Sequence, residues 1–336
     1  MSVVSTQIQL VQRPHGWPEP SDFRTAEVTY GDVQPGHVRV RNEFISVDPY
    51  MRGRMMDTRS YVPPFQIGET MTGGAVGRVV ESAVDDLPVG TLVLHQFGWR
   101  DIAQESADGF RAVPEPPAGH PSSVYLGVLG LTGFTAYVGL LDIAQFTEND
   151  VVFVSGAAGA VGTIVGQIAK LKGSPRVIGS AGSKEKVEVL TAKYSYDVAF
   201  DYKTAPVRRQ LAQAAPDGID VYFDNVGGDH LEAALDAFND GGRAALCGAI
   251  SQYNSTSRPE GPDNMANIIT RGLTLRGFIV AKHSDLMSAF NREMSQWLAD
   301  GEVDYDETVV DGIGNSADAF IGMMRGQNTG KMVVKV

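Results

Sequence analysis

The chain has 336 residues, 43% hydrophobic and 20% charged, with 40 Asp and Glu against 28 Lys and Arg for a formal charge of −12. That length exceeds what one hydrophobic core organises, so two domains are expected. The acidic balance repels nucleic acid and anionic lipid, no apolar run approaches the ~18 residues of a bilayer span, and "MSVVSTQIQLVQRP" lacks the regions of a secretory signal, so the expectation is a cytoplasmic protein with no nucleic-acid or membrane partner.

The first third alternates apolar and polar residues over short segments such as "HVRVRNEFISVD" and "GGAVGRVVES", punctuated by "YVPPF" and "PEPPAGHP", the texture of a β-rich domain. From about Tyr125 short apolar strands alternate with longer helical patterns: "VVFV", "RVIGS", "DVAFD", "DVYFDNV", "RAALCG" and "LTLRGFIV" follow one another. Strand-helix alternation predicts a doubly wound parallel sheet, an α/β fold. Leu286, Phe290, Met294 and Trp297 recur at three- and four-residue intervals, which predicts an amphipathic helix ending near Asp300 and Gly301 and leading the chain back toward the first domain. The tail "TGKMVVKV" has a strand pattern and is expected to complete the N-terminal β-domain.

Six scattered histidines and the single Cys247 offer no set at metal-ligand spacing, so no metal site is expected. The chemistry is instead sought in "VVFVSGAAGAVGTIVGQIAKLKG", residues 151–173. Ala157, Gly159 and Gly162 stand where a dinucleotide fingerprint places its three glycines, with alanine in the first position. Such a run also serves as a plain strand-to-helix turn. Here it follows an apolar strand and opens a helix through Val161, Val165 and Ile168, whose N-terminus presents N–H groups and a partial positive charge to a pyrophosphate. An NAD enzyme would place Asp or Glu after the next strand, "RVIGS", to bind the ribose 2′-hydroxyl. This chain has "GSAGSKEK" instead, with the Ser183 hydroxyl and the ammonium groups of Lys184 and Lys186, which suits a 2′-phosphate and points to NADPH.

The motifs "SVDPYMRGRM" (46–55), "SYVPPFQIGE" (60–69), "SGAAGAVG" (155–162), "FDNVGG" (223–228), "CGAISQYN" (247–254), "RGFIV" (276–280) and "NTGK" (328–331) occur in an order that resembles the zinc-free medium-chain dehydrogenase/reductases, the group of prostaglandin reductases, plant double-bond reductases and bacterial curcumin reductase. The resemblance runs nearly end to end. It implies a GroES-like catalytic domain over 1–126, completed by 301–336, and a Rossmann domain over 127–300 that binds NADPH. It also implies that Ala158, Gly159, Ala160, Val161 and Gly162 cradle the pyrophosphate. Gly182, Ser183, Lys186 and Tyr202 would flank the 2′-phosphate, although the interval from Lys186 to Tyr202 is one residue longer than the family's. Asn225 would lie near the cofactor, with Cys247, Gly248, Ala249, Ile250, Ser251 and Tyr253 along the nicotinamide ribose, Phe278, Ile279 and Val280 at the carboxamide, and Asn328 reaching it from the C-terminal segment. A homodimer through "LTLRGFIV" follows from the same likeness and from the hazard of an exposed apolar edge.

Zinc-dependent relatives carry a histidine between the Gly and Glu that here are adjacent, Gly68 and Glu69. Without a Lewis acid, the expected chemistry is reduction of an activated C=C bond, by hydride addition to the β-carbon of a small enone or enal. A hydroxyl that meets the developing enolate oxygen would assist. The candidates are Tyr253 first, then Tyr50 and Tyr61; each would also serve simply as a packed ring with a local hydrogen bond. Cys247 reads as a small core residue, since no basic neighbour in sequence activates it. Two other readings stand beside the enone reductase: an NADPH:quinone oxidoreductase, and a non-catalytic NADPH-binding redox sensor.

Overall fold

A computed structural model describes residues 2–258 and 261–336. Up to residue 112 the elements are β1 (Val3–Leu10), β2 (Phe23–Tyr30), β3 (His37–Ser46), the short helix α1 (Tyr50–Arg54), β4 (Ala75–Ser82), β5 (Leu92–His95), β6 (Ile102–Ser106) and β7 (Phe110–Ala112). After α2 (Leu131–Val138), strands and helices alternate as β8 (Val151–Val154), α3 (Gly162–Leu171), β9 (Arg176–Ala181), α4 (Lys184–Lys193), β10 (Val198–Asp201), α5 (Val207–Ala214), β11 (Ile219–Asp224), α6 (Gly228–Ala237), β12 (Phe238–Leu246), α7 (Ala266–Thr270) and β13 (Thr274–Gly277). The chain closes with α8 (Met287–Ala299), β14 (Glu307–Asp311), α9 (Ser316–Met324) and β15 (Lys331–Lys335). It divides into two compact units, residues 1–127 with 307–336, and residues 128–306. The segment 301–306, which the sequence reading assigns to the first domain, is tied to the second unit. Asp304 N–H donates to Gln167 Oε1 at 2.7 Å, and the Asp306 carboxylate meets Lys193 at 2.6 Å and the Tyr194 hydroxyl. Among the described residues no helix is long and apolar enough to cross a membrane.

In the first unit β1 and β2 form an antiparallel ribbon, and a larger sheet runs β14-β15-β3-β4-β5-β7 with β6 paired to β3. The alternation read in the sequence is what this sheet needs, one face turned to a core of Val38, Val40, Val79, Val93, Ala103 and Phe110. The tail strand β15 enters between β14, parallel, and β3, antiparallel, as its pattern predicts.

In the second unit the sheet order is β10-β9-β8-β11-β12-β13, all parallel. The chain starts at the central β8, winds outward through β9 and β10, then returns to continue from β11 on the other side. The order therefore reverses beside β8, and in such sheets ligands bind at the carboxyl ends of the strands flanking the reversal. Strands covered on both faces read as unbroken apolar runs, and Val152, Phe153 and Val154 are fully buried. Phe153, Ile178, Tyr222 and Phe238 form a core with Leu211 of α5 and Ala234 of α6, each large side chain contributing about 1.5–3 kcal/mol by burial. The strand in "LTLRGFIV" is shorter than the run suggests: β13 stops at Gly277, and Phe278 to Val280 lie beyond the sheet.

Candidate active site

The glycine-rich turn sits at the carboxyl end of β8. Gly156 takes φ +59°, a left-handed conformation that costs glycine little and a branched residue much. A Cβ on Gly162 would lie 2.6 Å from both the Cα and the carbonyl oxygen of Ala157, so the helix start packs against the strand exit only because that position is bare. Ala158 to Gly162 form the approach to α3, with Gly159 N–H donating to Gly156 O at 3.1 Å. The first N–H groups of a helix have no carbonyl one turn back, and a turn this close to the helix start fits a pyrophosphate.

At the next strand end, several predicted residues converge. Gly182 follows β9, and Ser183 caps α4, its hydroxyl accepting Lys186 N–H at 3.4 Å. Tyr202 follows β10, donates its N–H to Ala181 O at 3.1 Å, and lays its ring over Gly182 with the hydroxyl 3.0 Å from where a side chain there would begin. Two residues not singled out in the sequence join them. Lys203 places its Nζ 5.9 Å from the Tyr202 ring centroid, and the His230 ring stands edge-on to Tyr202 at 5.2 Å. Burial, and then the nearby Lys203 charge, pull the Lys186 ammonium below its ordinary pKa; burial pushes the His230 imidazole down to about 4. Ammonium groups held near one another, a phenol and a capped helix start suit a dianionic phosphate.

The ends of β11 and β12 meet around a carboxylate that the sequence reading passed over. Asp224 Oδ1 accepts from the Tyr222 hydroxyl (2.7 Å), the Ser155 hydroxyl (3.2 Å), Val226 N–H (2.9 Å) and Gly227 N–H (2.7 Å). Burial holds its pKa above the ordinary value while those hydrogen bonds pull it down. Its carbonyl accepts from the N–H groups of Cys247 (2.9 Å) and Gly248 (3.0 Å), and so fixes the start of the 247–253 segment. Asn225 donates its side-chain amide to Ser155 O at 2.8 Å, Ile250 N–H reaches Asn225 O at 3.4 Å, and the Ser251 hydroxyl donates to Val226 O at 2.6 Å. The Tyr253 hydroxyl accepts the Ala249 N–H at 3.4 Å, so its own proton points elsewhere; burial raises its pKa. Burial also pushes the Cys247 thiol up to about 12, which leaves it protonated at neutral pH. A cleft of about 330 Å³ opens here, lined by Asp224, Gly227, Leu246, Cys247, Gly248 and Gln252.

Tyr50, Tyr61 and Asn328 belong to the first unit. Tyr50 opens α1 and is half-buried; Tyr61 is 59% exposed. Asn328 donates its amide to Gly330 O at 2.7 Å, holding the turn before β15. That turn delivers Lys331, whose buried ammonium meets Asp48 Oδ1 at 2.8 Å and Val47 O at 3.0 Å, while Ser46 donates to the other Asp48 oxygen. The motifs 46–55 and 328–331 thus meet in one buried ion pair. Arg54, also passed over in the sequence, donates to Pro63 O at 3.0 Å and Thr72 O at 3.3 Å and lies over the Phe65 ring at 4.0 Å.

Residues 6–113 match the family model described as the N-terminal domain of oxidoreductase, and residues 160–299 that described as zinc-binding dehydrogenase. Among the described residues no group of three or more His, Cys, Asp or Glu side chains could hold a metal ion. With the parallel sheet, the separate β-rich unit and these matches, the chain belongs to the medium-chain dehydrogenase/reductase family of oxidoreductases. Within it, the chain is similar to the NADPH-dependent curcumin reductase of Escherichia coli, 43% identical over 97% of this chain and 95% of that protein. It is 40% identical to prostaglandin reductase 1 of Sus scrofa, over 95% of each. The crystal structure of CurA in complex with NADPH from Vibrio vulnificus superposes with a TM-score of 0.93 at 43% identity, covering 98% of this chain and 99% of that one.

Proposed function

We propose that the protein reduces the C=C bond of α,β-unsaturated ketones and aldehydes with NADPH and leaves the carbonyl intact. The observation that carries the cofactor assignment is the cluster at the ends of β9 and β10, where Ser183, Lys186, Tyr202 and Lys203 gather and the residues directly after β9 are Gly182, Ser183 and Lys184 in place of a carboxylate. The cofactor is NADPH, as in the CurA complex and in the name of the curcumin reductase relative. Residues 158–162 would hold its pyrophosphate, Lys186 and Tyr202 its 2′-phosphate, and the segment 247–253 with Asn225 and Phe278 to Val280 its nicotinamide half. When bound, it supplies a hydride. The substrate class follows from chemistry: curcumin, named in one relative, is a conjugated enone, and Tyr253 offers an O–H whose oxygen is already engaged by a backbone amide.

The test follows NADPH oxidation with a panel of enones, enals and quinones. Turnover with enones, and deuterium from 4-deuterated NADPH at the β-carbon of a saturated product, are expected. Label on a carbinol carbon, or turnover confined to quinones, overturns the reading; no turnover at all returns the protein to the redox-sensor alternative. Tyr253→Phe keeps the ring and removes the hydroxyl, so turnover should fall about a hundredfold, ~2.7 kcal/mol, with cofactor affinity little changed. We also propose a homodimer formed along β13, the edge of its sheet; light scattering that returns the monomer mass at micromolar concentration refutes it.

A further inference from the structure

The Tyr202 side chain stands at the surface, 37% exposed, on the turn that follows β10. Its backbone is fixed. Tyr202 N–H donates to Ala181 O at 3.1 Å, and the turn closes on Asp201, whose Oδ1 accepts Lys203 N–H at 2.9 Å and whose carbonyl accepts the Thr204 hydroxyl at 2.8 Å. The phenol lies along the bare Gly182, where a Cβ would stand 3.0 Å from the hydroxyl and 3.3 Å from two ring carbons. Lys203 Nζ is 5.9 Å from the ring centroid, at the outer reach of a cation–π contact.

A further contact comes from α6. The His230 ring stands at 77° to the Tyr202 ring with centroids 5.2 Å apart, inside the range of edge-to-face aromatic pairs. The end of β11 places it there. Gly227, at φ +71°, donates its N–H to Asp224 Oδ1 at 2.7 Å and accepts His230 N–H at 3.2 Å, so the carboxylate that gathers donors at this strand end also sets the first turn of α6. The His230 side chain is 4% exposed, and its Nε2 has no hydrogen-bond partner among the described residues. A hydrogen bond at that nitrogen therefore does not hold the ring; the contact that gives it a role is the one with Tyr202.

A phenol that donates to a phosphate must hold its O–H within a narrow range of distance and direction. An exposed side chain on a turn loses rotamer freedom when it does so, and that loss weakens binding. A ring braced by Gly182 and His230 has given up the freedom before the ligand arrives.

We propose that His230 is a positioning residue for cofactor specificity: its ring holds the Tyr202 phenol along Gly182, ready for the 2′-phosphate, and so strengthens the preference for NADPH over NADH. This rests on the assignment of Tyr202 to the 2′-phosphate made above. Every residue it invokes lies within the unit 128–306.

Calorimetry with 2′,5′-ADP and 5′-AMP on the full chain reads the 2′-phosphate contribution as the ratio of the two affinities. His230→Ala should lower that ratio about three- to tenfold and leave the 5′-AMP affinity nearly unchanged. His230→Phe keeps an aromatic ring and should hold the ratio close to that of the wild type. Tyr202→Ala should lower the ratio by itself, and in that background His230→Ala should change it by less than about twofold, because its partner is already gone. An unchanged ratio in His230→Ala, equal losses in His230→Phe and His230→Ala, or losses that multiply in the double variant each overturn the proposal. So does a fall in both affinities together, which is the mark of a residue that only fills space beneath the strand ends. If His230→Ala does not fold, His230→Leu, which fills the place without an aromatic edge, carries the same measurements. A wild type that binds the two ligands equally well defeats the 2′-phosphate assignment and the proposal with it; a wild type that prefers 2′,5′-ADP, with the same ratio in His230→Ala, defeats the proposal alone.

Discussion

Two sites, one in each unit, handle buried charge differently. In the first, the Lys331 ammonium meets the Asp48 carboxylate at 2.8 Å, both nearly fully buried. In the second, the contacts of the buried Asp224 among the described residues are dipoles, from Tyr222, Ser155 and the Val226 and Gly227 amides, and the charge pressing on Lys186 is another lysine. The Asp48–Lys331 site neutralises its ions internally, as the buried Asp150 does with Arg243 in the second unit. The ends of β9 to β12 arrange dipoles and like charges instead, the layout of a region made to receive a charged ligand.

The comparison can be broken at its strongest point first. Lys331→Met leaves the Asp48 carboxylate buried without its cation, and urea unfolding should register a loss of about 3–5 kcal/mol. The double substitution Asp48→Asn with Lys331→Met should be less damaging than Lys331→Met alone, since no unpaired charge remains. Equal damage would mean that lost packing, not charge, decides.

Next comes Asp224→Ala, which strands four donors at the switch between β8 and β11 and should cost about 2–3 kcal/mol by the same measurement. Asp224→Asn keeps an oxygen for those donors and should stay within about 1 kcal/mol of the wild type at neutral pH. If the amide variant is as damaged as the alanine one, Asp224 is held by charge after all. The sign of its pH dependence follows from its raised pKa. The folded state keeps the proton to higher pH than the unfolded chain, whose value is near 3.8, so the contribution is full below that value and lost as pH rises through the folded one. The stability margin of wild type over Asp224→Asn should therefore shrink as pH rises above about 4.

Smaller than the losses from Lys331→Met and Asp224→Ala is the effect at the ligand end. Lys186→Ala should weaken binding of 2′,5′-ADP about tenfold, ~1.4 kcal/mol, by calorimetry, and leave 5′-AMP unchanged. Equal losses for both ligands would remove the 2′-phosphate from this site.

Much of the architecture was legible because it rests on local pattern. "VVFV" followed by a glycine-rich turn and an apolar-striped helix is β8, the turn and α3, and "TGKMVVKV" alternates as β15 does in its sheet. NADPH was legible from a missing acid after "RVIGS" together with nearby lysines. What escaped were residues whose roles arise only when distant segments meet. Asp224 and Arg54 lay inside motifs picked for their neighbours Asn225 and Tyr50, and nothing in their spacing marks a carboxylate that gathers donors from β11 and from the turns after β8 and β11, or a guanidinium that joins the carbonyls of Pro63 and Thr72. Gly156 was overlooked because the fingerprint template starts one residue later, whereas the left-handed backbone falls on Gly156. Lys203 and His230 join Tyr202 through strand order and helix placement, which periodicity does not encode.

The place of β15 has a consequence for how the molecule is made. The strand lies inside the first unit's sheet, beside β3, yet almost three hundred residues of chain separate Lys331 from Asp48, |i−j| = 283. Residues 128–306 form a continuous stretch that can collapse as soon as it leaves the ribosome, while the segment synthesised first must wait, with the edge of β3 uncovered and Asp48 lacking its cation, until residue 335 has emerged. The order of synthesis and the order of completion are thus inverted, and the earliest-made part of the chain is the last to become native.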